Sequence, residues 1–210
     1  MSRDWQNWDA PKVAERVQII WNEEPGELQH REQLTELISR HVPGLKGTFL
    51  DVGCGTGLVY KRLRAASNGA IDYTGVDVSL QMLRTARQNF PEALFLYGDG
   101  FNLVFRDAEI DCVLCFEVAG HVPHVRRLLH ELLRVTGKIC IFTVWPSETD
   151  EITEDYEEIE GAKFLHRKYP DSYIRQCILS AAPSGIKRIE TERLRSGGRA
   201  YIVERAPFSA

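Results

Sequence analysis

The sequence predicts an α/β protein with a largely parallel sheet, and three observations lead there. Strand-length apolar runs alternate with segments of helical period from residue 47 to residue 145. The runs at 109–116 and 137–145 are apolar almost without interruption, as strands covered on both sides are. A turn in FLDVGCGTGLVY, residues 49–60, sets Gly53, Gly55 and Gly57 between the first of these strands and the helix after it.

Taken in order, Asp9 is a cap candidate for a helix carrying Val13, Val17, Ile20 and Trp21 at helical spacing. NEEPGE, residues 22–27, interrupts it, and a second helix with Leu34, Leu37, Ile38 and His41 on one face stops at Pro43-Gly44. Strand 47–52, helix 58–66, strand 71–77, helix 79–90 and strand 93–99 then alternate, which argues βαβ units. Strand 109–116 follows, then a helix lined by Val122, Val125, Leu128, Leu129, Leu132 and Leu133, then strand 137–145. The acidic run ETDEITEDYEEIE, 148–160, breaks the alternation. A helix near 170–182 and two strands around GIKRIETERL and RAYIVERA complete the chain, with Ser196-Gly197-Gly198 as their hairpin turn.

The 210 residues, 43% hydrophobic and 27% charged, suffice for one full core. A net charge of -4 offers no general attraction to phosphate backbones, so nucleic acid is not the expected partner. No apolar stretch approaches the roughly 20 residues needed to cross a bilayer. The start MSRDWQNWDAPK lacks the apolar core of a signal peptide, so a cytoplasmic protein with no membrane partner is expected. Five irregularly spaced cysteines fit reduced thiols. Cys112 and Cys115 form a C-x-x-C within a strand, where residues three apart face opposite ways, so core packing is expected of them rather than metal or redox chemistry.

A strand ending in Asp51, then G-x-G-x-G, then a helix suits an adenosine-containing ligand in an open α/β sheet. Gly53 and Gly55 let the main chain turn tightly against it, and the free N–H groups of the next helix favour an anionic group. Asp77 ends the next strand 20 residues after Gly57, where it can accept from two ribose hydroxyls, and Asp99 in LYGDG can accept from an adenine amino group. A dinucleotide fold would have a third glycine at position 58, where this chain has Leu58; the pattern suits a ligand without phosphates.

FLDVGCGTG, YTGVDVS, LYGDG, IDCVLCFEVAGHV and LLHELLRVTGKICIF together resemble the class I S-adenosylmethionine-dependent methyltransferases over residues 45–145. The resemblance implies a Rossmann-like, seven-stranded, mostly parallel sheet with helices on both faces and the last strand antiparallel. It implies S-adenosyl-L-methionine as cofactor, with Gly53, Gly55 and Gly57 around its methionine part, Asp77 on the ribose, Asp99 and Gly100 bounding the adenine, and Phe116 and Glu117 flanking the sulfonium end. Asp51, Cys54, Thr56 and Val78 join that cofactor set. One departure is visible: the family often has a proline and two glycines before the fifth strand, and RVTGKICIF has Gly137 alone. On this reading residues 45–210 form the methyltransferase domain, with an acidic insertion near 148–160, and residues 1–44 are N-terminal helices able to act as a lid.

Methyl transfer from a sulfonium is a direct displacement, so holding the reactants in line in a dry pocket supplies much of the catalysis, and a base is needed only for a protonated acceptor. His121, in AGHVPHV, is the candidate base and His124 a lesser one, each weighed against a capping or packing role. Trp5, Trp8 and Trp21 suit either a lid over the cofactor or rings that pin the first helix to the sheet. The acidic run reads as a solvated face or as part of the acceptor cleft, and KFLHRKY, 163–169, as its pairing partner or a contact for an acidic acceptor. A small-molecule acceptor is expected. The alternatives are a protein or RNA acceptor, a non-catalytic cofactor-binding subunit, and an aminopropyl transferase, against which GHVPH stands where an acidic polyamine site belongs.

Overall fold

The structure, a computed structural model, describes residues 4–10, 12–182 and 185–206. It opens with a 3-10 segment (Asp4–Asp9) and two helices, α1 (Val13–Glu23) and α2 (Pro25–His41). The alternating section is β1 (Thr48–Val52), α3 (Leu58–Ala66), β2 (Asp72–Asp77), α4 (Leu80–Asn89), β3 (Leu94–Tyr97), β4 (Ile110–Cys115), α5 (Val125–Val135) and β5 (Thr136–Pro146). Then come β6 (Thr153–Ile159), β7 (Ala162–Tyr169), α6 (Asp171–Ala181), β8 (Ile186–Arg193) and β9 (Arg199–Arg205).

The first five strands pair in parallel in the order β3-β2-β1-β4-β5, and β9 then lies antiparallel between β5 and β8. Strand order therefore reverses at β1, which has β2 on one side and β4 on the other, and open sheets bind ligands beyond the carboxyl ends of the strands at such a point. Phe49, Leu50, Asp51 and Val52 of β1 are all buried, as a central strand covered on both faces requires. On one face the core gathers Val113 and Cys115 with Leu128, Leu129, Leu132 and Leu133 of α5; on the other it gathers Cys112 and Leu114 with Phe49 and Leu63. Cys112 and Cys115 thus stand on opposite faces, as the two-residue period of a strand dictates.

Among the described residues the sheet has nine strands, against the seven expected. The additional pair is the hairpin β6–β7, formed by the acidic run and KFLHRKY, with Glu154 opposite Arg167 and Glu158 opposite Lys163. Dense charge hides the alternation of these strands, and one ion pair spans them among the described residues: Arg167 Nε meets Glu154 Oε1 at 2.6 Å. The Arg167 N–H donates to the Gly120 carbonyl, and β7 joins β5 in parallel at Trp145 and Pro146.

Three local expectations also change. NEEPGE interrupts the helices only at the extended Glu24, because Pro25 at the first position of α2 has the φ a helix start requires and no N–H to leave unpaired. Asp9 does not cap α1, whose N-cap is Lys12; its carboxylate instead accepts from Ser79 Oγ and the Gln81 N–H at the start of α4. Val122 precedes α5, which begins at Val125. The missing turn residues before β5 are explained as well: Val135 ends α5 and Thr136 begins the strand, with Thr136 Oγ1 donating to Leu132 O at 2.6 Å.

No described helix is long and apolar enough to cross a membrane. Since Leu129 is fully buried between α5 and the sheet, Leu129→Ala is expected to lower unfolding stability by roughly 2–5 kcal/mol, seen as a lower urea midpoint at unchanged slope.

Candidate active site

The carboxyl ends of β1, β2, β3 and β4 open into a cavity of about 430 Å³. The turn after β1 is held beneath it by the Gly53 and Cys54 N–H groups, which donate to Val76 O at 2.7 and 3.1 Å. Gly53 has φ 81°, and a Cβ there would lie 2.1 Å from Val118 Cγ2, so both backbone and packing require glycine. At Gly55, φ 54°, a Cβ would come within 3.2 Å of the Trp21 ring. The Gly55 N–H donates to Asp77 Oδ2, and the Ser79 N–H donates to Asp77 Oδ1, each at 2.8 Å. Asp77 thereby ties the glycine turn to the start of α4 and keeps acceptor capacity on each oxygen. Burial raises its carboxyl above the usual range, against these two bonds.

Asp51, Gly53, Cys54, Gly55, Asp77, Val78, Asp99, Gly100, Phe116, Glu117 and His121 all border this cavity. Thr56 and Gly57 lie outside its wall: Thr56 is fully buried, and Gly57 packs against Phe90 and Phe95. His124 is exposed at the start of α5, its ring 6.5 Å from that of Phe101, and also stands apart. Asp51 is buried and accepts from Tyr73 Oη at 2.6 Å. Loss of water pushes its carboxyl up to about 7, more than the Tyr73 bond lowers it.

The N-terminal helices form the facing wall. Glu117, at φ 61°, donates its N–H to Thr143 Oγ1 and sets its carboxylate 2.9 Å from both His30 Nε2 and Arg31 Nη2. Burial alone would raise this carboxyl, but His30 and Arg31 outweigh it and hold it down to about 2. The Arg31 guanidinium also lies over the Trp21 ring, 4.6 Å from its centre. Arg31 and His30 escape a reading centred on NEEPGE. Their signal was position, because Arg31 stands three residues and His30 four before Leu34 on the buried stripe of α2.

At the other end, Trp8, His121, Trp145 and His166 make a chain of rings. Trp8 and His121 have centroids 5.4 Å apart, His121 and His166 5.8 Å, and His166 and Trp145 5.2 Å. His121 Nδ1 is 2.6 Å from Leu165 O. A carbonyl only accepts, so Nδ1 carries the proton and the neutral ring leaves a lone pair on Nε2. Burial lowers the pKa of both imidazoles, in His121 against the Leu165 carbonyl and Glu157, and in His166 reinforced by His121 and Lys168. Glu157 of the acidic run reaches the same wall, and Trp8, Val17, Ile20 and Trp21 close it from the N-terminal side. The Trp5 side chain lies outside the described residues.

The wall tests for a cofactor by its charge. Glu27, Asp51, Asp77, Asp99, Glu117 and Glu157 line the cavity with Arg31 as their one cationic companion among the described residues. Such a field opposes a pyrophosphate and suits a cation. Arg31 Nε and Glu27 Oε2 are buried without hydrogen bonds, although Glu27 Oε2 lies 3.5 Å from Arg31 Nη2; the two offer a cation and an anion to the carboxylate and ammonium of an amino acid. These residues fit a sulfonium-bearing amino acid nucleoside.

Asp51 and Glu117 have opposite pH signatures. Glu117, depressed, adds stability that is present above about pH 4.5 and lost as pH falls toward about 2. Asp51, raised, adds stability that is present below about pH 4 and lost as pH rises through about 7. Urea denaturation of the unliganded protein across that upper window should show stability falling with pH, and Asp51→Asn should flatten the fall.

Residues 50–142 match a family profile described as a methyltransferase domain. The chain is 30% identical over 146 residues to the malonyl-[acyl-carrier protein] O-methyltransferase of Pectobacterium atrosepticum, an alignment covering 68% of this chain and 55% of that one. It is 28% identical over 151 residues to the ubiquinone biosynthesis O-methyltransferase of Coxiella burnetii, covering 69% and 58%. The chain thus spans little more than half the length of these curated relatives. Its fold superposes on magnesium protoporphyrin IX methyltransferase from Synechocystis with a TM-score of 0.72 at 16% identity, over 98% of this chain and 99% of that one. With the glycine turn, the order of the strands and the antiparallel last strand, this places the domain matched at residues 50–142 in the class I S-adenosylmethionine-dependent methyltransferases.

Proposed function

We propose that this chain is an active enzyme that transfers a methyl group from S-adenosyl-L-methionine to a small-molecule acceptor. The observation that carries this reading is a single cavity with two chemically different ends, adenosyl-type acceptors around Asp77 and Asp99 and an aromatic, imidazole-lined chamber around His121. Its volume lies near the lower end of the roughly 300–1,000 Å³ typical of small-molecule sites, which favours a compact acceptor over a macromolecule. The relatives named above are a malonyl-[acyl-carrier protein] O-methyltransferase and an O-methyltransferase of ubiquinone biosynthesis. The Synechocystis methyltransferase has S-adenosylmethionine bound.

In this reading Asp77 accepts from the ribose hydroxyls, and Asp99 with Gly100 bounds the adenine. Val78 lines the same end. Gly53, Cys54 and Gly55 offer a bare backbone to the methionine part, which Asp51, Phe116 and Glu117 flank, while Thr56 and Gly57 shape the turn from behind. Arg31 and Glu27 take the carboxylate and ammonium. When bound, the sulfonium supplies an electrophilic methyl carbon. The chain's own contribution is placement and exclusion of water, with residues 1–44 as the cover and the hairpin as the opposite wall. His121 Nε2, unprotonated and without a hydrogen-bond partner among the described residues, receives the proton of an acceptor that arrives protonated.

Calorimetry should find micromolar binding of S-adenosylmethionine and its demethylated product and none of NAD, with Asp77→Ala weakening the first two by about tenfold or more. Binding of NAD instead overturns the reading. Once an acceptor is found, His121→Ala should cut turnover by roughly 100-fold or more and leave cofactor affinity within about twofold. Unchanged turnover removes His121 as the base, and no turnover with any acceptor, despite tight cofactor binding, favours a non-catalytic subunit.

A further inference from the structure

We propose that the acceptor is a small arylalkylamine, bound as a cation at the chamber formed by Trp8, Trp145, His121, His166 and Glu157; this rests on the methyltransferase reading above. The chamber brings together segments from four parts of the chain, and its groups divide into two kinds. Two indoles and the aliphatic Val122 and Ile159 provide apolar and π surface. Glu157, His121 and His166 line the same space, and none of the three makes a hydrogen bond or ion pair to another described side chain. Of the other carboxylates around the cavity, Asp51 is engaged by Tyr73, Asp77 by two backbone N–H groups, Asp99 by the Phe101 N–H and Glu117 by Arg31, and Glu27 lies 3.5 Å from Arg31 Nη2. Glu157 is thus an exposed carboxylate on this wall, whose water a ligand donor can replace.

The charge of that wall selects the acceptor. Asp155 and Glu157 share one face of β6 with Phe164 and His166 opposite them on β7, so the carboxylates stand beside the rings. An acidic acceptor or a phenolate meets repulsion there, while an ammonium meets Glu157 and the faces of two indoles. A protonated amine has no lone pair for displacement, and the neutral His121 supplies the remedy. The ammonium gives one proton to His121 Nε2, which becomes an imidazolium. The freed nitrogen lone pair forms the N–C bond to the methyl of the sulfonium donor, and the C–S bonding pair stays on sulfur as the neutral thioether. The product is a methylammonium, so the charge that Glu157 holds in the acceptor is still there in the product.

The test uses the full chain with the demethylated cofactor, S-adenosylhomocysteine, filling the donor end. Benzylamine, phenethylamine and tryptamine are compared by calorimetry with benzyl alcohol, 4-cresol and benzoate. At least one amine should bind ten times or more tightly than every neutral or anionic probe. Glu157→Gln should erase that preference while leaving affinity for S-adenosylhomocysteine within about twofold. Equal or better binding of 4-cresol or benzoate, or an amine preference that survives Glu157→Gln, overturns the proposal and leaves the methyltransferase reading standing. Failure of S-adenosylhomocysteine to bind overturns both.

Discussion

Glu117 leaves the fourth strand in a left-handed backbone conformation and places its carboxylate between His30 and Arg31, and the N-terminal wall of the cavity depends on that contact. A charge taken this far from water must be compensated, and one partner alone would leave an imperfectly solvated ion. The two partners are consecutive on α2, so satisfying the carboxylate also fixes that helix against the sheet. Arg31 in turn lies over Trp21, and Trp21 lies over Gly55. A chain of contacts thus runs from the end of β4 through α2 and α1 back to the turn after β1. The positive φ at Glu117 is a local cost that this network sustains.

Electrostatics then divide the cavity by task. Carboxylates surround a space with a single guanidinium at one end, which explains why a turn so like that of dinucleotide-binding proteins belongs to a ligand without phosphates. Asp77 has a dual part, since its oxygens hold the Gly55 and Ser79 N–H groups while still facing the cavity. The shape of the turn and the polarity of the site therefore rest on the same atoms. At the far end the tautomer of His121 is set by Leu165, a residue of the hairpin, so the chemistry of the chamber depends on an insertion that the core sheet does not need.

The hairpin and the N-terminal segment are coupled. Asn7 Nδ2 donates to Lys163 O at 2.7 Å, Trp8 packs on Phe164 with centroids 4.3 Å apart, and Asp9 accepts from Ser79 at the start of α4. These contacts join the N-terminal wall of the cavity to the hairpin wall. Trp8 and Trp21 both pack against the N-terminal cluster and line the cavity.

The alternation of strands and helices, the glycine turn, Asp77 at the end of β2 and the division of Cys112 and Cys115 between two faces were all legible in the sequence. Each follows from short-range rules: side-chain period, the sterics of positive φ, and the one position where a strand ends. The hairpin was not legible, because Glu, Lys and Arg on both faces of β6 and β7 mask a two-residue period, and their pairing is decided between strands. The cap role of Asp9 was misplaced because its partners Ser79 and Gln81 lie on another helix. Sequence by itself determined the fold class and the glycine turn with the acids that gather beside it, since those depend on neighbours along the chain. Only the tertiary structure decided that Arg31 meets Glu117 across 86 residues and that Leu165 orients His121 across 44, because a buried ion pair and a tautomer are properties of groups brought together by folding.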